Sequence, residues 1–422
     1  MDLSLPRGIR DIEPEEYARH EEVRRRFAEV ASLFNFKMME PAPLEHLSTL
    51  RAKSGEDIDK EVYYFKDKGG REIGLRFDLT VGMTRYVCSR KDLKPPIKLA
   101  GVGGAWRYDE PQHARFRWFN QWDLEIFGTP SVAADAEVID ASHKIFGALG
   151  VKGAVTQVGD RRVVEEFISK QMRASGEEAV ELMRALDKSQ KKSFAELEAE
   201  YAKKGIGSEK LKSLFEFGNT RGAPERVISD LNELGLDSVG ELEALRDMLQ
   251  ERGVKDVEYN LSIVRGIDYY TGLVFEVVDP QHRDLGSLCG GGRFDALPKL
   301  FGRPDLSATG AAGGLEREAL SLPGGEERKV LVYVASAGEA TYLVAMRYLS
   351  ALRSEGLRAD SSLQRRPLGK QLEQASALGA RWLIIVGEKE LAAGLVTLKD
   401  MSERSERRVS LEEAVQAIKA GS

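Results

Sequence analysis

The chain has 422 residues, enough for two or three domains at roughly 100–200 residues each. Hydrophobic residues at 42% and charged residues at 31% exclude a disordered chain and allow a sizeable buried core. The formal net charge of -6 excludes attraction to a polyanion through overall charge alone. Charge is uneven, however: from Arg328 to the C-terminus, 15 Lys and Arg stand against 11 Asp and Glu. A basic tail on an acidic body fits contact with a phosphate backbone, and equally fits an ordinary solvated surface.

Two cysteines, Cys88 and Cys289, lie far apart in the sequence and without metal-ligand spacing, so a reducing, cytoplasmic compartment is expected. The opening residues lack the long apolar run of a secretory signal, and no stretch approaches the roughly 20 apolar residues of a membrane span.

In chain order, residues 14–34 read as a helix, with Pro14 at the start and Tyr17, Val23, Phe27, Val30 and Phe34 at helical spacing. Residues 62–65 and 73–77 read as strands joined by the turn Asp67-Lys68-Gly69-Gly70. Residues 99–108 and 118–127 form another antiparallel pair around a polar loop at 109–117, and 133–149 a helix. From about 151 to 257, long charged amphipathic stretches read as a mostly helical insertion. Strands resume at 259–264 and 272–278, followed by Gly290-Gly291-Gly292 and a helix at 311–320. Residues 322–327 read as a linker, which sets domain boundaries at 1–325 and 326–422. The tail alternates: strand 329–335, helix 339–354, helix 368–378, strands 382–386 and 396–399, helix 411–420. That order predicts a small α/β domain.

No GxxxxGK[ST] phosphate loop, HExxH metal site or GxSxG nucleophile elbow is present, and no protein metal site is expected. The triple glycine, taken alone, reads as a tight turn. The richest segment runs Trp106-Arg107-Tyr108-Asp109-Glu110-Pro111-Gln112-His113-Ala114-Arg115-Phe116-Arg117-Trp118-Phe119-Asn120-Gln121-Trp122-Asp123-Leu124-Glu125. It puts three arginines on a hairpin and its loop. A guanidinium is a planar, permanently charged fork suited to phosphate oxygens. On charge alone, the same hairpin reads as a surface laced with ion pairs.

This segment resembles motif 2 of the class II aminoacyl-tRNA synthetases, in its histidyl form. Pro6-Arg7-Gly8-Ile9-Arg10-Asp11 resembles the family's N-terminal signature, and Leu75-Arg76-Phe77-Asp78-Leu79-Thr80-Val81 its amino-acid-binding strand. Val264-Arg265-Gly266-Ile267-Asp268-Tyr269-Tyr270-Thr271-Gly272 and Gly290-Gly291-Gly292-Arg293-Phe294-Asp295 resemble its two histidine-specific motifs. Gly313-Gly314-Leu315-Glu316-Arg317 resembles motif 3. These segments follow in family order over nearly the whole chain, and the signatures of the other synthetase class are absent.

The resemblance implies a class II catalytic domain of α+β type, an antiparallel sheet flanked by helices, carrying the helical insertion and followed by an α/β anticodon-binding domain. It implies ATP with magnesium, histidine and histidine tRNA as partners, and a homodimer. Arg107 and Arg265 would act on the ATP α-phosphate from opposite sides as the catalytic pair. Asp109 would contact the adenine, Phe119 and Arg317 would sandwich it, and Arg115 with Arg317 would reach the γ-phosphate. Asp78, Thr80 and Gln121 would hold the histidine backbone, with Arg107 and Arg265 near its carboxylate. Glu125 and Tyr270 would bond the imidazole nitrogens, with Tyr269 and Phe294 completing the pocket. In the tail, Gln364-Arg365-Arg366-Pro367-Leu368-Gly369-Lys370-Gln371-Leu372 resembles the anticodon-domain loop and helix start, which makes Arg365, Arg366, Lys370 and Gln371 candidate anticodon contacts.

Four places depart from the family pattern. Phe294 stands where tyrosine is common, and Gly82 where proline is common. Motif 1, around residues 36–45, has Pro41 and Pro43 flanking Ala42. Glu318 replaces a usual apolar residue, which suggests exposure. The main rival reading is a non-catalytic synthetase-like regulatory subunit of histidine biosynthesis. Arg265, Tyr270 and the tail domain speak against it.

Overall fold

A computed structural model of the chain describes residues 3–52, 58–110, 115–189, 192–264, 269–322 and 332–420. The chain divides into two compact units, Met1–Gly325 and Glu326–Ser422.

The described strands of the first unit are β1 (Lys37–Met38), β2 (Leu44–His46), β3 (Tyr64–Lys66), β4 (Glu72–Leu75), β5 (Ile97–Trp106) and β6 (Trp118–Phe127). They continue with β7 (Val155–Asp160), β8 (Arg221–Gly222), β9 (Val257–Asn260), β10 (Leu273–Val278), β11 (Ser287–Arg293) and β12 (Ala308–Gly314). Nine form one sheet in the order β1-β5-β6-β12-β11-β10-β7-β9-β8, and β2-β4-β3 form another. The pairings from β5 through to β7 are antiparallel. The β1–β5 and β7–β9 pairs are parallel, because in both cases the chain returns by a helical crossover. The sheet is therefore mixed, where an antiparallel one was expected.

One face of the sheet is the core. Trp122, Leu124 and Ile126 of β6 point into it. Against them pack Val23, Phe27 and Val30 of the helix Pro14–Leu33, and Val138, Ile139 and Ile145 of the helix Val132–Ala148. Proline opens the first helix, where its missing N–H is harmless, and the Ser131 hydroxyl caps the second by accepting from the Ala133 amide. Strand side chains alternate with period two, so the same choice turns Phe119, Gln121, Asp123 and Glu125 to the opposite face.

The stretch 151–257 is helical over its interior, from Arg161–Lys170 to Gly240–Glu251. Its ends, expected to be part of the insertion, belong to the large sheet as β7 and β9. The strand expected at 259–264 stops at Asn260, whose side chain accepts from the Ser262 amide at 3.1 Å and turns the chain. The helix expected at 311–320 spans Leu315–Ser321. The small residues before it are strand β12, which lies between β6 and β11. The triple glycine likewise sits inside β11, not in a turn.

The second unit has β13 (Val332–Ser336), β14 (Ala359–Ser361), β15 (Trp382–Val386), β16 (Val396–Asp400) and β17 (Ser405–Val409), in the order β14-β13-β15-β16-β17. Val332 and Val334 face a core with the helices Glu339–Ser354 and Leu411–Ala420. Tyr333 and Ala335 face the helix Leu368–Ala377. Helices thus cover both faces of β13 and β15, which is why those strands read as continuous apolar runs. β17 went unread because Ser-Glu-Arg-Arg-Val is a polar edge strand without alternation. Most of the expected linker lies outside the described residues. No helix among the described residues is long and apolar enough to cross a membrane.

Candidate active site

A cleft of about 540 Å³ opens on the polar face of the first unit's large sheet, within the range usual for small-ligand sites. Its two ends differ in chemistry.

One end is cationic. Arg107 follows β5; its Nε donates to the Phe77 carbonyl at 2.9 Å and its guanidinium lies 4.9 Å from the Phe119 ring centre. Arg115, across the hairpin loop, donates to Asp109 Oδ2 at 2.7 and 3.1 Å. Arg317, on the helix Leu315–Ser321, donates to the Ser287 carbonyl at 2.9 Å. Burial first, then the charges of Arg115 and Arg107, push the Arg317 guanidinium below its ordinary value. Three converging guanidiniums, of which Arg115 is paired with Asp109, make a place where an anion is favoured. The hairpin's third arginine, Arg117, does a different job. It stacks 3.8 Å over Tyr108 and donates to the carbonyls of Asp109 and Arg7. Its amide donates to the Gly8 carbonyl at 2.9 Å, so the N-terminal signature is docked on this hairpin.

The other end is lined by Asp78, Thr80, Gln121, Glu125, Tyr269 and Tyr270. Asp78 and Thr80 lie beyond the end of β4, at the start of the helix Thr80–Ser89, and not on a strand as expected. Asp78 Oδ1 accepts from the Val81 amide at 3.1 Å and fixes that turn. Asp123, missed from the sequence, ties the wall together. It is fully buried; Thr80 Oγ1 donates to one carboxylate oxygen at 3.1 Å and Gln121 Nε2 to the other at 2.8 Å. Period-two spacing between Gln121 and Glu125 is the signal that could have found it. Tyr269 is half-buried, stacked on Phe294 at 5.1 Å and edge-on to Tyr270 at 4.7 Å. Burial first, then the charges of Glu125, Tyr270 and Asp78, push its phenol well above the ordinary value, so it is a neutral donor.

Glycines give Glu125 its room. Gly310 of β12 pairs with Glu125 of β6, and a Cβ there would collide with the Glu125 carboxyl. Arg293, after the triple glycine, points away from the cleft into a buried pair with Asp135 at 2.5 Å and bonds to the Thr129 and Ser131 carbonyls. Asp187, from the helix Gly176–Lys188, also lines the cleft; nothing in its helical surroundings marked it in the sequence.

Arg265 lies outside the described residues. Two other expectations are corrected. Glu318 is fully buried, not exposed, because Trp122 offers it an N–H. Gln371 is buried too: its amide takes the Ser336 N–H and gives to the Ser336 and Arg366 carbonyls, which leaves nothing for an anticodon. Arg365 pairs with Glu339 and lies 5.3 Å from the Tyr342 ring; Arg366 bonds Gln364, and Lys370 pairs with Glu373 at 2.7 Å. Those three are exposed. Among the described residues, no group of three His, Cys, Asp or Glu could hold a metal ion.

Residues 8–317 match the family model for histidyl-tRNA synthetase. The chain belongs to that family. Membership makes it an aminoacyl-tRNA ligase. Residues 329–421 match an anticodon-binding domain model. The chain is 34% identical to a histidine–tRNA ligase of Pyrococcus horikoshii, over 98% of each. The histidyl-tRNA synthetase of Nostoc sp. PCC 7120 superposes with a TM-score of 0.85 at 25% identity, over 100% of each chain. A structure described as an ATP phosphoribosyltransferase regulatory subunit/histidyl-tRNA synthetase, from Bacillus halodurans C, reaches 0.77 at 23% identity over 92% of this chain and 99% of that one. At that identity the likeness carries the fold alone.

Proposed function

We propose that the cleft activates L-histidine with ATP and that the chain then loads it onto histidine tRNA. The observation that carries this is the division of one cleft into a cluster of arginines and a cluster of carboxyl, amide and phenol groups. ATP enters as its magnesium complex. Its phosphates meet Arg107, Arg115 and Arg317, and its adenine lies between Phe119 and the Arg317 plane, beside Asp109. Histidine takes the other end. Asp78, Thr80 and Gln121, braced by Asp123, hold its α-amino group; Glu125 and Tyr270 hold the imidazole.

A carboxylate oxygen of histidine attacks the α-phosphorus, the bond to the bridging oxygen breaks, and pyrophosphate leaves with the electron pair. Two anions must approach, so cations already in place do the catalysis. Arg107 serves one side of the α-phosphate and Arg265 the other. Holding both reactants in one cleft supplies proximity. In the second step the 3′-hydroxyl of the terminal adenosine attacks the acyl carbon and AMP leaves. A polar pocket that fits an imidazole rejects other amino acids by leaving buried groups unpaired, so no editing site is required.

In this reading the helical insertion clamps the acceptor stem, and Arg365, Arg366 and Lys370 offer exposed donors to anticodon bases. Exposed apolar side chains on and beside motif 1 (Leu33, Met38, Leu44, Tyr64 and Phe65) support a homodimer. Sedimentation at micromolar concentration should give twice the chain mass; a monomer would contradict that.

Arg107→Ala and Arg265→Ala should each slow ATP–pyrophosphate exchange by on the order of 100–1,000-fold with the fold intact. Near-normal exchange in either would remove that residue from the mechanism.

A further inference from the structure

Trp122 sits in β6 between Gln121 and Asp123, fully buried, with its ring stacked 5.2 Å from Phe27. Its indole N–H needs an acceptor. Glu318 supplies one: Trp122 Nε1 lies 2.8 and 2.9 Å from the two carboxyl oxygens, and Glu318 is itself 0% exposed. The space the carboxyl fills lies over Gly313, where a Cβ would collide with both Glu318 and the Trp122 ring. Two residues earlier, Glu316 Oε1 accepts from the Asn120 amide at 2.9 Å. Arg317 is thus flanked on both sides by residues fastened to β6.

We propose that Glu318 is a positioning residue for Arg317: by bonding Trp122 it locks the short helix Leu315–Ser321 onto β6 and so holds the Arg317 guanidinium at the cationic end of the cleft. This rests on the reading that Arg317 binds ATP. β6 is held by full ladders to β5 and β12. The helix has only seven residues, so losing the bond displaces the helix and not the strand.

Burial pushes the Glu318 carboxyl well above its ordinary value, which favours the protonated form. Its hydrogen-bond partner is an indole N–H, and the titratable group it feels is Glu316, also pushed up by burial. On the helix packed behind, Phe27 faces Trp122 while Arg24 is committed to Asn120 and Glu21. Arg10, whose charge reaches Glu316, pairs with Glu16. A buried carboxylate without a cation is far costlier than a carboxylic acid. The folded state therefore holds this proton more tightly than the unfolded chain. The stability it lends is full below the ordinary carboxylate range and is lost as pH rises toward the folded value.

The test is pyrophosphate exchange and thermal melting on full-length E318L and E318Q. E318L removes the acceptor at similar size and should raise KM for ATP roughly tenfold, with KM for histidine within about twofold of the unmodified chain. E318Q keeps the acceptor and should restore KM for ATP. The Tm of E318Q should gain on that of the unmodified chain as pH rises above the ordinary carboxylate range. Unchanged KM for ATP in folded E318L, or a loss in E318Q equal to that in E318L, overturns the proposal. Should E318L not fold, E318M, which also lacks a strong acceptor, takes its place under the same two outcomes for KM of ATP. Absence of exchange in the unmodified chain would instead sink the reading of the site.

Discussion

Glu125 shows how much of a site hangs on residues that never touch a ligand. Its carboxyl lies across β12 because position 310 carries no side chain. Gly310→Ala should push Glu125 aside and lower kcat/KM for histidine on the order of 100-fold, since misplacement by about an ångström is enough to do so. A loss below threefold would mean the pocket absorbs a methyl group and that the close fit is incidental. Glu125→Gln keeps the shape and removes the charge. It should weaken histidine roughly tenfold or more and leave KM for ATP unchanged; an equal effect on both substrates would argue that Glu125 merely supports the sheet. The cleft-lining side chains were legible because their types and order are distinctive. Glu318 and Gln371 were misread because each is defined by a partner distant in sequence (Trp122 and Ser336) that spacing cannot reveal.

The element that organises the site is the β5–β6 hairpin. In β6, Trp122, Leu124 and Ile126 alternate with Gln121, Asp123 and Glu125, and the hairpin loop carries Arg107 and Arg115. Where local signals were ambiguous, tertiary pairing decided. Ala308–Gly314 is a strand because glycine and alanine allow close approach between β6 and β11; as an isolated run it reads as helix. The second histidine-specific motif serves two masters. Its Phe294 stacks on Tyr269, while its Arg293 anchors β11 to the helix Val132–Ala148 through Asp135. Burial pushes the Asp135 carboxyl up, and Arg293 opposes that shift. Arg293→Met should cost about 3–5 kcal/mol by leaving a buried carboxyl without its cation. Denaturant melts would show it; a change under about 1 kcal/mol would mean that water reaches the pair.

At the scale of the molecule, the chain forms two compact units. The chain divides near residue 325, where turn formers and charge lie in the sequence, and residues 329–421 match an anticodon-binding domain model. The edges of the large sheet were not legible, because β1 and β8 are two residues long and carry no periodicity. If the tail reads tRNA and the body does the chemistry, Arg365→Ala with Arg366→Ala should lower aminoacylation of histidine tRNA and leave pyrophosphate exchange unchanged. A matching loss in exchange would couple the tail to the cleft. The measurement that bears most directly on the whole account is ATP–pyrophosphate exchange with each proteinogenic amino acid in turn. Exchange with histidine alone is the predicted result. Exchange with a different amino acid, or with none in a folded sample that still binds histidine, would contradict it.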